Sequence, residues 1–460
     1  MTEASLPGPD NVLLRVAVVG SGPSGFYTTE ALIKSGHPVR VDLFERLPAP
    51  YGLVRYGVAP DHPKLKQAIQ VYEKIAQSPE FTFVGNVTVG RDLGIDELRQ
   101  AYHAVVLTCG AEADRSLGIA GEDLSGSHTA TEFVGWYNGH PDYRERIFDL
   151  NHEVAVVIGQ GNVAADVGRV LAKTVDELRA TDIAAHALEV LAESAIREIH
   201  VIGRRGPAQA KFTPKELREF GDLADCQVRV NADELELNPA SEVEVADKSN
   251  ANARKNMDLF RKFVDAPSAG KDRQCYFRFL RSPVALSGGR RLQAVELETN
   301  CLSGEPFAQS AQGTGVTETL GCGILFRSIG YRGAPLAGVP FDERRGVFSN
   351  RGGRIHDAQG AVAGLYTAGW IKRGPTGIIG TNRADSVATV DALLQDLDAL
   401  RSGGAKPGID GLYAVLAERG ARVVSFPEWQ KIDAAEIARG APHGKPREKF
   451  TRVDEMLEQL

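Results

Sequence analysis

Three glycines, Gly20, Gly22 and Gly25, follow an apolar run at residues 13–19 and precede a helical stretch at about 24–34. Glycines at this spacing, between a strand and a helix, cradle a pyrophosphate. The first makes the tight turn, the second lets the phosphates approach the backbone, and the third lets helix and strand pack closely. Pro23 and Ser24 sit where the helix begins, and the free N–H groups there face an anion. Glu45 lies 20 residues after Gly25, at the end of the strand 39–44. A carboxylate there accepts hydrogen bonds from a ribose. A glycine triplet alone is often only a strand–turn–helix junction. With strand, helix and acid all in place, it points to nucleotide binding.

The pattern recurs about 140 residues later, where a strand at 154–158 runs into Gly159, Gln160, Gly161, Asn162 and Val163. Ala164 stands at the third glycine position. The next strand, 199–202, ends in Gly203, Arg204 and Arg205 rather than in an acid. Two guanidinium groups there suit the 2′-phosphate of NADP, which they can bind bidentately; the competing reading is a solvated basic turn. Glu216 and Glu219 follow on a short helical stretch, 214–220, and read equally as surface glutamates.

A third segment lies far downstream. A strand ends at Gly369, Trp370 follows, and residues 374–382 are rich in glycine. A helix beginning near Gly377, with Ile378 and Ile379 in its first turn, points its positive end outward. That end stabilises the negative charge that a reduced flavin carries near N1. Trp370 packs beside such a ring, or is a core tryptophan.

The elements that must position these residues are two βαβ units. The expected fold class is α/β, with two Rossmann-like dinucleotide-binding domains. A length of 460 residues allows two or three domains, and 43% hydrophobic with 25% charged residues is ordinary for a globular chain. A net charge of −7 does not suggest nucleic-acid binding. Cys109, Cys226, Cys275, Cys301 and Cys322 form no CxxC pair and no metal-ligand set, so no metal is expected. Their odd number fits a reducing compartment. Residues 1–11 lack the pattern of a secretory signal, and no apolar run is long enough to span a membrane. The expected location is cytoplasmic.

The chain resembles the adrenodoxin-reductase-type NADPH–ferredoxin reductases, with their bacterial relatives. VVGSGPSGFY (18–27), YGLVRYGVAPDHP (51–63), VIGQGNVAADVGRVL (157–171), VIGRRGPAQAKFTPKELREF (201–220), FRFLRSP (277–283) and AGWIKRGPTGIIGTNRADS (368–386) carry the resemblance. It implies an FAD domain in two parts, 11–112 and 331–460, with an NADP domain at 113–330 inserted between them. It implies FAD contacts at Gly25, Glu45, Leu53, Val89, Trp370, Gly377, Ile378 and Ile379. It implies NADP contacts at Gln160, Gly161, Asn162, Val163, Arg204, Arg205, Glu216 and Gly377. His62 and Glu219 match polar residues near the flavin and nicotinamide, in proton relay or positioning; a buried structural histidine fits His62 as well.

The implied reaction is hydride transfer from NADPH to flavin N5, then single-electron transfer to a ferredoxin-type iron–sulfur protein. Residues 248–273 carry seven basic and three acidic groups, a net +4, suited to transient electrostatic docking of an acidic partner or to a merely solvated helix face. A thioredoxin-reductase-like enzyme needs a cysteine pair, and the small subunit of glutamate synthase a cysteine-rich segment; neither is present. A flavin monooxygenase and a non-catalytic NADPH-sensing flavoprotein remain as alternatives.

Overall fold

The computed structural model describes residues 12–267 and 270–460. Residues 1–11, read above for a signal, lie outside the described residues, as do Ser268 and Ala269 of the basic stretch.

The first unit builds a seven-stranded sheet. Leu14–Val19 lies inside it, flanked in parallel by Val39–Phe44 and Ala104–Leu107. Phe81–Val84 adds one edge, parallel to Val39–Phe44. On the other side the chain returns after more than 250 residues: Ala361–Thr367 pairs in parallel with Ala104–Leu107, and Arg354–His356 and Asn350–Arg351 complete the sheet. Leu14, Val16, Val18, Val41 and Leu43 are fully buried. Strands enclosed on both faces read as continuous apolar runs, which is why the sequence marks them so clearly.

The second unit builds a six-stranded sheet with every pair parallel. Its order is Ser127–Thr129, Ile324–Arg327, Val154–Ile158, Glu198–Ile202, Arg273–Arg278 and Cys226–Val230. Beside it stands an antiparallel sheet of Arg281–Ser287, Ala294–Ser303 and Ser310–Gly321. Where the chain passes between the two units, Ala113–Asp114 and Tyr331–Arg332 pair antiparallel, so both crossings are tied together.

Several expected elements differ. The strand expected over 81–89 ends at Val84, where Gly85 instead bridges Val424 and Asn86 takes a left-handed φ of 57°. The helical stretch expected over 182–193 is Ala185–Ala192, preceded by a separate turn, Val175–Leu178. The helix expected to begin near Gly377 begins at Thr381 and runs to Gln395. Gly377, with φ of 85°, lies in the turn before it, because a left-handed residue cannot continue a right-handed helix.

Candidate active site

The first glycine turn has no room for side chains at two positions. Gly20 is left-handed (φ 106°), and a Cβ there would lie 2.7 Å from the Thr108 carbonyl oxygen. A Cβ on Gly25 would lie 2.0 Å from the Gly20 carbonyl oxygen, so strand and helix meet backbone to backbone. Gly22, by contrast, faces open space, with nothing within 4 Å of an added Cβ. The helix Pro23–Ile33 starts immediately beyond it. This is the shape a pyrophosphate needs. Glu45 reaches back to the turn and accepts from the Ser21 backbone N–H (3.1 Å), the Ser21 hydroxyl (2.6 Å) and the Leu47 N–H (3.2 Å). Its carboxylate is thereby fixed at the strand end.

Distant segments close over this turn. A Cβ on Gly52 would come within 3.0 Å of Gly22 Cα, which brings the helical turn Leu53–Tyr56 onto the phosphate cradle. Gly369 presses on Ser24, whose hydroxyl donates to Asn382 Oδ1 at 3.1 Å. The Ser386 hydroxyl donates to the Ser24 carbonyl, also at 3.1 Å. Trp370 is half-buried, not a core tryptophan; its indole N–H donates to the Thr376 carbonyl (3.2 Å), and its ring stacks on Tyr331 at 5.6 Å. Leu53 and Ile378 expose 45% and 69% of their surface. Ile379 packs partly on the core of the first unit. Val89 is half-buried in a bridge with Leu93.

The second turn repeats the geometry. Gly159 has φ of 142°, and a Cβ there would sit 2.1 Å from the Ser328 carbonyl oxygen; Gly161 again faces open space. The helix Asn162–Ala172 begins at once, and Asn162 Oδ1 accepts the Thr213 N–H at 2.8 Å. The Gln160 amide donates to the Arg278 carbonyl at 3.1 Å and fills the space a side chain on Gly203 would take. Val163 packs on the neighbouring core. Arg204 is exposed and Arg205 half-buried. Partial burial, then repulsion from Arg204, lowers the Arg205 pKa. A bound anion would cancel the repulsion between the two guanidinium groups and pair the charge that burial disfavours, so the donor set fits a phosphate.

Between the turns lies a charged seam. His62 Nε2 meets Glu219 Oε2 at 2.6 Å and Glu216 Oε2 at 3.3 Å. Arg169, with no exposed side-chain surface, holds Asp61 (2.7 Å), Asp166 (2.7 Å) and Glu216 (3.2 Å). Burial opposes a charged His62 ring, but the Glu219 bond and the nearby Asp166 and Asp61 outweigh it, and the His62 pKa is raised. Glu219 is lowered, its burial outweighed by His62. Burial, reinforced by Asp166, raises Glu216. Asp61 falls to about 2, its burial outweighed by Arg169. His62, Glu216 and Glu219 converge within 4.8 Å as metal ligands would, but the Arg169 guanidinium already stands against Glu216 and Glu219. The seam therefore has its cation built in.

The structure thus brings His62, Glu216 and Glu219 together. Arg204 and Arg205 follow the strand Glu198–Ile202, where Glu244 also faces Arg205. Glu216 is turned into the seam, only 5% exposed. Sequence reading missed Arg169 and Asp61. The signal was there: Arg169 falls among the buried apolar residues of the helix Asn162–Ala172, where an arginine needs partners, and Asp166 stands three residues before it. In the basic stretch, the helix Ala251–Val264 buries Ala253, Met257, Phe260 and Phe263 and exposes Arg254, Lys255, Arg261 and Lys262. Lys271 and Arg273, counted with that stretch, instead turn inward onto the carbonyls of Leu223 and Lys173.

No family model matches the chain. Among curated proteins, it is 44% identical to the mitochondrial NADPH:adrenodoxin oxidoreductase of Salvelinus fontinalis, over 96% of this chain and 90% of that protein. It is also 44% identical to the NADPH-ferredoxin reductase FprA of Mycobacterium leprae, over 96% of this chain and 97% of that one. The structure of Mycobacterium tuberculosis FprA in complex with NADPH superposes with a TM-score of 0.91 at 42% identity, covering 97% of this chain and 99% of that one. Identity this high over nearly the whole length, on top of two complete dinucleotide turns, places the chain in the family of adrenodoxin-reductase-type NADPH–ferredoxin reductases.

Proposed function

We propose that the protein is an FAD-dependent NADPH–ferredoxin oxidoreductase. The observation that carries this reading is the pair of phosphate turns with opposite charge at the next strand end: Glu45 beside the first, Arg204 and Arg205 beside the second. Bound flavin can take two electrons from a nicotinamide as hydride and release them singly to an iron–sulfur centre.

The chain's residues bind and orient. Gly20, Gly22, Pro23, Ser24 and Gly25 form the cradle for the FAD pyrophosphate, and Glu45 binds its ribose. Leu53, Val89, Trp370, Gly377, Ile378 and Ile379 wall the flavin. Gln160, Gly161, Asn162 and Val163 hold the NADP pyrophosphate, and Arg204 and Arg205 grip the 2′-phosphate. The Glu219 bond raises the His62 pKa, which favours the protonated ring and ties the two sides of the seam together. Glu216 acts there through Arg169. Hydride transfer itself needs no acid or base, so the chain's contribution is proximity and electrostatics. The division at 112/113 and 330/331 is supported by the strand ranges of the two large sheets.

The partner we propose is an acidic ferredoxin, docked transiently on the exposed face of Ala251–Val264. Arg254, Lys255, Arg261 and Lys262 there face only Asp258 among the exposed acids of that helix. Among the described residues, no helix is long and apolar enough to cross a membrane. Five free cysteines fit a reducing compartment, and we propose the cytoplasm.

Steady-state reduction of a panel of ferredoxins with NADPH and with NADH tests the reading. Rapid NADPH-dependent turnover with at least one ferredoxin is expected. An FAD-loaded protein that turns over neither ferredoxin nor ferricyanide would sink it.

A further inference from the structure

The two halves of the molecule meet at a second charged contact, away from the phosphate turns. Asp182 belongs to the nucleotide half, between the strands Val154–Ile158 and Glu198–Ile202. Two lysines of the flavin half grip it. Lys66 Nζ lies 2.6 and 2.7 Å from its two carboxylate oxygens, and Lys449 Nζ lies 3.0 Å from Oδ2 and donates to the Asp182 carbonyl at 3.3 Å. All three are nearly enclosed: the side chains of Lys66, Asp182 and Lys449 are 12%, 8% and 1% exposed.

Lys449 sits on a strap, residues 445–450, that crosses from one half to the other. On the flavin side, the Glu448 N–H donates to the Glu436 carbonyl (2.9 Å) and the Phe450 N–H to the Glu436 carboxylate (3.0 Å), which also holds buried Arg55 at 2.5 Å. On the nucleotide side, Lys445 donates to the Ile183 carbonyl (2.6 Å), and Glu448 accepts the Ala185 N–H (3.0 Å).

A buried triad of two cations and one anion is a poor device for stability, because desolvation offsets the attraction. Burial drives the Lys449 pKa down to about 7, and Lys66 and Arg55 face it besides Asp182. Lys66 is likewise lowered by burial, and Arg447 and Arg55 face it. A lysine whose folded pKa is depressed destabilises the fold below that pKa, and the cost fades between about 7 and the unfolded value. What the triad supplies is registration. Asp61, pinned to Arg169, and Lys66, pinned to Asp182, lie five residues apart on one short segment. That segment is thus held to the nucleotide half at two points, and Lys449 ties the strap to the second of them.

We propose that Asp182, held between Lys66 and Lys449, is a positioning residue that sets the angle at which the nucleotide half presents NADPH to the flavin. The proposal rests on the reductase reading given above. It predicts a split: the triad governs the rate of hydride delivery and not the affinity for NADPH, because Arg204 and Arg205 lie wholly within one half.

The test is stopped-flow reduction of the flavin-loaded protein by NADPH, with Asp182→Asn and Lys449→Met. Lys449→Met leaves the Lys66–Asp182 pair intact and removes an excess buried charge, so it is expected to fold. A misplacement of the order of 1 Å costs up to ~100-fold in rate; a fall of at least ~10-fold in the limiting rate constant is expected for Asp182→Asn, which loses the charge that both lysines hold, and a smaller fall for Lys449→Met, which loses only the strap's contact, with the NADPH Kd within ~3-fold of wild type in both. Reoxidation by ferricyanide of protein reduced with dithionite should be unchanged. The wild-type rate constant should decline as pH rises through about 7, where Lys449 loses its charge, and the Lys449→Met profile should lack that step. Wild-type rate constants in both variants would overturn the proposal, as would a loss that appears entirely in Kd. If NADPH fails to reduce wild-type flavin at all, the reductase reading itself falls, and the positioning role with it.

Discussion

The two phosphate turns are built alike and finished differently. Each opens with a left-handed glycine against a neighbouring carbonyl, leaves its second glycine open, and starts a helix at once. The first is then sealed. Its acid is satisfied by three hydrogen bonds, and Gly52, Gly369, Asn382 and Ser386 close on it from segments up to 362 residues away. The second keeps an excess of positive charge, with two arginines side by side and Arg205 held below its ordinary pKa despite Glu244 nearby. A site that is complete without charge from its ligand suits a resident cofactor. A site that is improved by an incoming phosphate suits one that comes and goes. The backbone supplies pyrophosphate binding in both; the side chains at the end of the following strand decide which nucleotide it is.

The third position of each turn offers the largest break in that likeness. Gly25→Ala places a Cβ 2.0 Å from a backbone oxygen, whereas the second turn already carries Ala164. Gly25→Ala should therefore cost about 3 kcal/mol or more in the flavin-bound fold and yield protein with little visible flavin absorbance. Ala164→Gly should cost only about 1 kcal/mol, the helix-interior penalty, seen as a small drop in melting temperature.

The seam gives an intermediate effect. Glu219→Gln removes the anionic partner of His62, whose side chain is buried while that of Glu219 is 29% exposed. A loss of about 1–2 kcal/mol is expected after screening is allowed for. The sign against pH follows from the shifts. Lowered Glu219 contributes above its unfolded pKa, and that contribution fades as pH falls through the depressed value. Raised His62 contributes below its unfolded pKa, and that contribution fades as pH rises through the raised value. Wild-type melting temperatures should thus pass through a plateau between these limits, and Glu219→Gln should flatten both sides.

The smallest effect belongs to the docking face. Arg261→Glu with Lys262→Glu should raise the KM for ferredoxin several-fold, equivalent to about 1 kcal/mol in total, and reduce its salt dependence. Ferricyanide reduction should not change. Salt-independent turnover with ferredoxin in the wild type would remove the electrostatic reading altogether.

How much of this was legible in the sequence follows from what each residue depends on. Both turns, their strands, Glu45 and the Arg204–Arg205 pair depend on local order and were readable. Strand Arg273–Arg278 was not, because it carries arginine at both ends and buries only Cys275 and Phe277, yet it lies inside the sheet. The true helix start at Thr381 was hidden because glycines permit a helix start at several places. The partners of His62 and Asp182 come from separate parts of the chain, and only the fold brings them together. A resemblance named the seam's histidine and glutamates; it did not name the arginine that binds them.

The central claim is that strand-end charge distinguishes the two sites. It is tested most directly by flavin reduction with NADPH and with NADH, in wild type and in the Arg204→Ala, Arg205→Ala double variant. Charge-assisted hydrogen bonds to each guanidinium are worth about 1.5–3 kcal/mol. The wild type should therefore prefer NADPH by at least ~100-fold in kcat/KM, and the double variant should lose most of that preference through NADPH alone, with NADH little changed. Equal use of both nucleotides by the wild type, or an unchanged preference in the double variant, would contradict the account.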